Sequence, residues 1–377
     1  MRVIAVAKEL QRKGHEVKIL AGEQQIPIMQ SHQLDFIAMP SIPISDFPFQ
    51  TLLGADDRAK EEIMTRMKEI MKPIAEAESE IIAKEKPDVL LCGNLTGPSA
   101  AKKFNIPCAM VALQPHGPKT IEFLTRRLPM QAQDLDRLKA VNLLIMEGTP
   151  ELDGGVSAEL KGEWSEALKD KLRFTGPLLL EKPESLPSRE ELKVRHAGEK
   201  DKPLIYVTIG GGTPLIGEDF LTLVLDAFRS LPDVKGVIAT GLALEPERLA
   251  GYNPPDNVFI RGFVPGLELI KASDVTIFHG GSSTLMTCIA CGTPAIVVPS
   301  MPEQEDNGAV LSQNGSGIVL AKNSLTPTAM SEAVLKILKD CSFRDNAQRL
   351  KELGEKYGGV SAAARMVEQL VDGESSS

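Results

Sequence analysis

The residues most suited to chemistry lie close together, between Asp274 and Asn307. An apolar segment that reads as a strand ends at a histidine, His279. Small and hydroxyl-bearing residues then open a predicted helix: Gly280, Gly281, Ser282, Ser283 and Thr284. Glycines let the backbone approach a ligand closely, and a helix start presents unpaired N–H groups and the positive end of the helix dipole. Ser282 or Ser283 is expected to cap the helix and to donate to phosphate oxygens. The spacing therefore predicts an anion site at this loop.

The histidine before the loop has two interpretations. The His279 ring can donate a hydrogen bond to a phosphate held by the loop. Alternatively, it can satisfy a backbone carbonyl at the end of the strand. Its position alone favours neither interpretation.

An acid and an amide follow the next apolar segment, AIVVP, which also reads as a strand. Ligands of open α/β folds bind at the sheet edge where the carboxyl ends of parallel strands meet. Glu303 and Gln304 are therefore expected beside the phosphate loop, where they offer acceptors and donors for adjacent sugar hydroxyls. The alternative is a solvated loop that caps the next helix. On the first interpretation the segment holds a diphosphate and its attached sugar, which suits glycosyl transfer.

Cys288 and Cys291 form a CxxC pair at the end of the same predicted helix. A metal site would need a second pair or histidines at ligand spacing, and the neighbouring sequence has neither. A redox pair would lie at the start of a helix, where the dipole lowers a thiol pKa. We interpret the two cysteines as small buried residues and predict no metal site.

Composition limits the classes of protein to be considered. The chain has 377 residues, of which 42% are apolar and 25% charged, as expected for a globular protein of two domains. A formal charge of −9 argues against a nucleic-acid partner. No apolar run approaches the roughly 18 residues of a membrane span, and no leader pattern opens the sequence. A cytoplasmic location with reduced thiols is expected.

Apolar periodicity divides the chain into two halves of alternating strands and helices, which is the pattern of doubly wound parallel sheets. In the first half we predict strands in HEVKILA, LDFIAMP, KPDVLLCG, IPCAMVAL and NLLIMEG. In the second half we predict strands in LIYVTIGGG, VKGVIAT, NVFIRGF and the two segments above. A proline-rich, charged stretch from Gly176 to about Lys202 is interpreted as the interdomain linker. The predicted class is α/β, with one domain over residues 1–180 and another over 181–377.

The order of several motifs resembles a known family. HGGSST, CGTPAIVVP and EQEDN resemble the nucleotide-sugar motif of the glycosyltransferases with two facing Rossmann-like domains, the GT-B fold, in particular the UDP-glycosyltransferase group. GHEVKILA, FTGPLL, LIYVTIGGGTP and GFVPGLELIKASDV resemble other segments of that family at the expected spacing. The similarity spans nearly the whole chain and is most specific between Arg261 and Asn307. It implies an acceptor-binding N-terminal domain and a nucleotide-sugar-binding C-terminal domain.

The resemblance implies an enzyme that moves a hexose-type sugar from a nucleoside-diphosphate sugar to an acceptor hydroxyl, with inversion and without a metal ion. The donor, expected to be a UDP-sugar, is a co-substrate, and no cofactor is implied. The diphosphate is expected on His279 and the backbone of Gly280 to Thr284, and sugar hydroxyls on Glu303 and Gln304. The remaining donor contacts implied are stacking of Phe263 on the uracil, reading of the base edge by the Val264 backbone, and lining of the cleft by Gly210, Gly211, Gly212 and Thr213.

Two features depart from the family pattern. A glutamate usually takes both ribose hydroxyls, and this chain has Thr287 there, so we expect altered ribose recognition and tolerance of a deoxyribose nucleotide. The family also opens with a strand and a glycine-rich turn that often carries the catalytic base, whereas this sequence resembles it only from the first helix onward. Either the recorded start lies downstream of the real one or the N-terminal domain is compromised. His116, in LQPHG, is the spare candidate for the base.

Two other functions stay open at this point. One is a GT-B epimerase acting on a UDP-sugar, which the HGG and EQ motifs disfavour. The other is a non-catalytic nucleotide-sugar binder that needs a partner to complete its site, which the missing base favours. No motif identifies the acceptor. The segment from Gln114 to Met130 is either a covered loop and helix or a point of peripheral contact with a lipid or membrane surface.

Overall fold

The computed structural model describes residues 1–40, 57–93, 96–122, 132–153, 170–210, 217–241 and 244–373. Strands and helices alternate through these ranges, and every strand pair within them is parallel. The predicted α/β class, with parallel sheets in two domains, is confirmed. Across the same ranges no helix combines the length and the apolarity needed to cross a membrane. The cytoplasmic location stays a prediction.

In the N-terminal half, the parallel strands are divided between two sheets. The two-stranded sheet contains β1 (Ile19–Ala21) and β2 (Phe36–Ala38). The second sheet contains, in this order, β3 (Leu90–Cys92), β4 (Cys108–Leu113), β5 (Leu143–Glu147) and β6 (Leu172–Phe174). In the described part of the chain, β1 and β3 are therefore edge strands of separate sheets. The helices of this half are α1 (Arg2–Arg12), α2 (Ile26–Ser31), α3 (Asp57–Glu85), α4 (Thr96–Phe104), α5 (Pro118–Glu122) and α6 (Ala132–Lys139).

The C-terminal half forms one six-stranded sheet. Its strands are β7 (Leu204–Thr208), β8 (Lys235–Ala239), β9 (Val258–Arg261), β10 (Val275–Phe278), β11 (Ala295–Val297) and β12 (Gly317–Val319). The order in the sheet is β12-β11-β10-β7-β8-β9. The chain adds β8 and β9 on one side of β7 and then β10, β11 and β12 on the other side. The carboxyl ends of β7 and β10 form the switch point, where ligands of open parallel sheets bind.

Helices cover both faces of this sheet, and two buried apolar clusters lie between them and the strands. Ile205 and Val207 of β7 and Ile277 of β10 are fully buried. Because both faces are covered, the central strands are continuous apolar runs instead of alternating ones. The helices are α7 (Arg189–Ala197), α8 (Glu218–Arg229), α9 (Pro246–Ala250), α10 (Gly266–Ala272), α11 (Ser282–Cys291), α12 (Pro302–Gln313), α13 (Pro327–Lys339) and α14 (Ser342–Glu355).

The interpretation of Gly176 to Lys202 as a linker is wrong over α7. The Ser188 hydroxyl accepts from the Glu191 N–H, and the Glu191 carboxylate accepts from the Ser188 N–H, which caps the helix. Leu192 and Ala197 are buried in the core beneath the six-stranded sheet. Since only these few apolar residues face the core, no sustained apolar run marks the segment as part of a domain.

The last helix, α15 (Gly359–Val371), returns to the N-terminal half. It shares one buried cluster with α1 and β5, whose members include Val6, Ile145, Ala363, Ala364 and Val367. The Gly359 N–H donates to the Thr175 carbonyl at 2.7 Å. The chain therefore returns to the N-terminal half next to the segment by which it first leaves that half. The domain boundary at residues 180 and 181 stays a prediction.

Candidate active site

The loop after β10 lies at the switch point, and glycine backbone encloses its histidine. A Cβ added to Gly210 would lie 2.8 Å from His279 Cε1, and one added to Gly281 would lie 2.6 Å from Nε2. The ring can therefore rest against the backbone on two sides only because both residues are glycine. Burial lowers the pKa of His279 despite the nearby Glu303 carboxylate, so the ring is neutral at neutral pH. Its Nδ1 is buried without a partner among the described residues, so this nitrogen satisfies no strand-end carbonyl.

The helix after this loop, α11, begins at Ser282 with Gly281 as its N-cap residue. The prediction that Ser282 or Ser283 caps the helix is wrong, because the chain enters the helix one residue earlier and glycine has no capping side chain. In the described part of the chain no side chain caps α11. Its first-turn N–H groups and the positive end of its dipole are therefore available to an anion.

Two side chains join the predicted phosphate loop to the acid and amide. Ser282 Oγ donates to Glu303 Oε1 at 2.6 Å. Asn307 Nδ2 donates to the Gly280 carbonyl at 2.7 Å and lies 3.2 Å from Glu303 Oε1. Gly280 has a φ of +95°, and a Cβ there would lie 2.7 Å from the Gln304 carbonyl oxygen. The structure thus brings the two predicted motifs into contact, through backbone and side chains together.

Glu303 and Gln304 lie in the first turn of α12 and not in a solvated loop. Gln304 is 2% exposed, and its Oε1 accepts from both the N–H and the hydroxyl of Ser300 at 2.9 Å. With its oxygen occupied, the Gln304 amide can donate to a ligand through its nitrogen. The bonds to Glu303 described above converge on Oε1, which leaves Oε2 as an acceptor. The pair therefore offers one donor and one acceptor, as adjacent sugar hydroxyls require.

Two further residues of α12 contact the candidate site, although the sequence analysis gave them no role beyond their place in the EQEDN motif. Asn307 bridges Gly280 and Glu303, and Asp306 contacts the N-terminal half; both are buried. The sequence spacing does indicate their position, because residues three and four positions after Glu303 lie on the same side of a helix as Glu303. That spacing becomes informative only once the helix is known to begin at Pro302.

The remaining residues of the predicted donor site differ in how exposed they are. Phe263 follows β9 at the same sheet edge and is 86% exposed, which is unusual for a phenylalanine. Val264 is partly buried against the apolar cluster below it. Ser283 is exposed and Thr284 is half-buried in the first turn of α11. Gly211, Gly212 and Thr213 lie outside the described residues, as does the 123–130 part of the predicted contact segment.

His116 lies in the N-terminal half at the interface between the halves, and it is 3% exposed. Its Nδ1 is 3.0 Å from the Leu152 carbonyl oxygen, which can only accept, so Nδ1 carries the proton. Nε2 then holds a lone pair, and it has no partner among the described residues. Burial lowers the pKa of His116, while the Leu152 carbonyl and the carboxylates of Glu303 and Asp306 oppose the shift. The imidazole is therefore neutral at neutral pH and near the acid–amide helix.

The cysteines of the CxxC pair are structural. Cys288 is 1% exposed, and burial raises its pKa well above the ordinary value; burial also raises the pKa of Cys291 to about 12. Both remain thiols at neutral pH, so neither is poised as a thiolate nucleophile. The described residues contain no group of three or more His, Cys, Asp or Glu side chains able to hold a metal ion.

Comparison with known proteins identifies the class. Residues 234–356 match the family described as erythromycin biosynthesis protein CIII-like, C-terminal domain. The NDP-glycosyltransferase YjiC of Bacillus subtilis strain 168 is 24% identical over 387 aligned residues, covering 97% of this chain and 92% of that protein. The fold is similar to the calicheamicin glycosyltransferase CalG4 (TM-score 0.72, 18% identity, 98% and 94% of the two chains). It is also similar to the Streptomyces sp. SF2575 glycosyltransferase SsfS6 complexed with thymidine diphosphate (TM-score 0.66, 20% identity, 98% and 96%). The chain is a glycosyltransferase of the GT-B type.

Proposed function

We propose that this enzyme transfers a hexose-type sugar from a nucleoside-diphosphate sugar to an acceptor hydroxyl, with inversion at the anomeric carbon and without a metal ion. The observation that carries the proposal is the contact network of Ser282, Glu303 and Asn307 at the switch point. It joins an uncapped helix start, suited to a diphosphate, to an acid–amide pair, suited to a sugar. The similarity to an NDP-glycosyltransferase over nearly the full length supports the same donor class.

The proposed reaction is a single displacement. The acceptor oxygen forms a bond to the anomeric carbon while the bond from that carbon to the diphosphate oxygen breaks. Negative charge grows on the departing diphosphate, where the N–H groups of Gly280 to Thr284, the dipole of α11 and the neutral His279 stabilise it. Preorganised donors of this kind can supply the electrostatic role that a divalent cation has in other transferases.

We propose His116 as the base that takes the acceptor proton. With Nδ1–H donating to the Leu152 carbonyl, the ring is oriented and Nε2 is left as the acceptor of the proton. Its lowered pKa keeps it unprotonated at neutral pH. Because Nε2 is buried, the acceptor hydroxyl has to reach into the interface between the halves, close to Glu303, for the transfer to occur.

For the nucleotide, we propose that the enzyme accepts thymidine as well as uridine diphosphate donors. The Thr287 hydroxyl donates to the Ser283 carbonyl at 2.8 Å, so it is partly occupied within α11. One such hydroxyl cannot bind two ribose hydroxyls as a carboxylate does, which removes the main reason to prefer ribose over deoxyribose. The complex of the structurally similar SsfS6 with thymidine diphosphate supports this proposal. Exposed Phe263 is proposed as the surface on which the base stacks.

Calorimetry with UDP and dTDP tests the donor site. We expect both to bind wild-type enzyme with dissociation constants within about tenfold of each other, since a single hydrogen bond from a neutral hydroxyl contributes only about 0.5–1.5 kcal/mol. Thr287→Glu is expected to shift the preference toward UDP, whereas Thr328→Glu, an exposed position on α13, adds the same charge elsewhere and should not. A strong wild-type preference for UDP would contradict the nucleotide proposal. Failure to bind either nucleotide, or to release it from any donor sugar, would contradict the function.

A further inference from the structure

A buried aspartate of the C-terminal half caps a helix of the N-terminal half. The helix α5 begins at Pro118, and the residue before it, Gly117, has no side chain with which to cap it. Asp306 Oδ2 accepts hydrogen bonds from the Thr120 N–H at 2.6 Å and from the Thr120 hydroxyl at 2.7 Å. The first of these, to the N–H of the third helical residue, is the bond that an N-cap side chain normally accepts within its own helix. Here the capping group comes from the other half.

The contact also explains the glycine at position 117. Gly117 does not adopt the left-handed backbone conformation that favours glycine. A Cβ there would lie 2.6 Å from the Asp306 Cγ and Oδ1 atoms, closer than real side chains approach. The residue is therefore required by the carboxylate that packs against it and not by the backbone turn. Asp306 and Thr120 are 5% and 7% exposed, so the contact is also shielded from water.

The residues on the two sides of this contact are neighbours of the groups proposed to bind the donor sugar and to deprotonate the acceptor. Asp306 lies one turn after Glu303 and Gln304 on α12, and Gly117 directly follows His116 in the chain. Hydrogen bonds to an ionised acceptor are shorter and stronger than neutral ones, and burial strengthens them further. A shift of α5 relative to α12 would therefore move His116 relative to the donor sugar.

We propose that Asp306 is a positioning residue, which holds His116 against the donor-sugar helix by capping α5 across the interface. This inference rests on the proposed function in that His116 is taken as the base. Asp306 does not contact the reacting atoms. Its role is to keep the two halves of the site in one fixed relation.

Kinetics of Asp306 variants test whether the contact made by Asp306 affects kcat. Asp306→Ala is expected to lower kcat about 10- to 100-fold, because small misplacements of a catalytic group are costly. The dissociation constants of UDP and dTDP should stay within about twofold of wild type, since the donor contacts lie on the C-terminal half. Asp306→Asn keeps an oxygen that can accept both bonds and should restore most of kcat. Equal losses in Asp306→Ala and Asp306→Asn would contradict the proposal.

A double-mutant cycle with Gly117 tests the contact itself. Gly117→Ala alone should lower kcat as much as Asp306→Ala, since its Cβ collides with the carboxylate. In the Asp306→Ala background the carboxylate is gone, so Gly117→Ala should cost nothing more. Losses that add would contradict the proposal. If Asp306→Ala fails to fold, Thr120→Val removes one of the two bonds and is expected to give a smaller loss of the same kind.

A distance measurement tests the contact without any ligand or activity. Spin labels on Cys341, which is exposed, and on Lys102→Cys, also exposed, in a Cys291→Ser background report the separation of the halves. We expect one narrow distance distribution in the otherwise wild-type chain and a broadened one with Asp306→Ala. Lys119→Ala is the matched control, because it removes an exposed ion pair to Glu305 at the same interface and should change little. Unchanged distances in Asp306→Ala would overturn the inference, whereas absent UDP and dTDP binding would overturn only the proposed function.

Discussion

The two halves of the molecule use the same strand–helix alternation but build their parts of the site differently. In the C-terminal half, one six-stranded sheet places the phosphate loop and the acid–amide pair on adjacent strands, where they contact each other directly. In the N-terminal half the strands belong to two sheets; His116 Nδ1 bonds to the Leu152 carbonyl, and Thr120 nearby donates to Asp306 of the other half. The proposed donor side is thus assembled within one half, whereas the proposed acceptor side includes a contact across the interface.

The burial of the strands follows the same division. Strands β7 and β10 are buried along their whole length, whereas β1, β3 and β6 are partly exposed. A strand covered on both faces contributes more apolar burial per residue than one covered on a single face. We therefore expect core truncations to lower the free energy of unfolding most in the C-terminal sheet. In the N-terminal half, we expect substitutions to lower activity more than stability.

The largest expected effect concerns the proposed base. His116→Gln should lower the rate of release of UDP or dTDP from a donor sugar by about 10²- to 10⁴-fold, because it removes the proton acceptor. Affinity for the free nucleotide, measured by calorimetry, should be unchanged. His32→Gln, a partly buried histidine of the same half outside the site, is the control. Turnover at the wild-type rate in His116→Gln would show that the N-terminal half contributes no base here.

Core truncation compares the stability of the halves. Phe228 is 2% exposed in the C-terminal core, where its ring covers Gly236, and Phe228→Ala should lower the free energy of unfolding by about 3–5 kcal/mol. Phe174, on β6 of the N-terminal half, is partly exposed, so Phe174→Ala should cost only about 1–2 kcal/mol. Urea unfolding of both variants measures the difference. Equal losses would remove the distinction in packing between the two halves.

A pair of glycines tests the closeness of the two donor motifs. Gly280 and Gly198 both have positive φ angles, but only Gly280 is packed against another segment. Gly280→Ala should weaken UDP and dTDP binding at least about tenfold, because its Cβ would displace Gln304. Gly198→Ala should cost about 1 kcal/mol of stability through backbone strain alone and leave affinity unchanged. Similar nucleotide affinities in the two variants would mean that the phosphate loop and α12 do not need to touch.

The smallest expected effect is a shared pH dependence, since each half contains one buried histidine of the site. Burial lowers the pKa of His116 and of His279 below the ordinary value of 6.5. As the pH falls below 6.5, the unfolded chain binds these protons before the folded chain does, so the free energy of unfolding falls until the lowered pKa is passed. Each histidine contributes at most about 1.4 kcal/mol per pH unit. Urea unfolding between pH 7.5 and 5 should therefore show a shallower fall in His116→Gln than in wild type; parallel curves would argue that His116 is not held neutral by the fold.

The fold class and the donor motifs were predictable because they depend on local pattern. Apolar periodicity located the strands, and the glycine–serine loop and the acid–amide pair each follow a strand at its carboxyl end, which is enough to place them at one sheet edge. Helix α7 was not predictable as part of a domain, because its two buried apolar residues leave little periodic signal. Gly281, and not a serine, proved to be the N-cap because the exact entry of a chain into a helix depends on surrounding contacts.

By itself, the sequence determined what each segment could bind: His279 and its glycine loop an anion, Glu303 and Gln304 a pair of hydroxyls. These properties follow from residue type and neighbours only a few positions away. The tertiary structure alone decided which groups are already occupied: Ser282 with Glu303, Gln304 with Ser300, and Asp306 with Thr120, 186 residues away in the chain. It also decided that His116 is buried and that its Nε2 has no hydrogen-bond partner within the described ranges of the chain. The physical reason is that hydrogen bonds and burial depend on distances in space, which local sequence patterns do not contain.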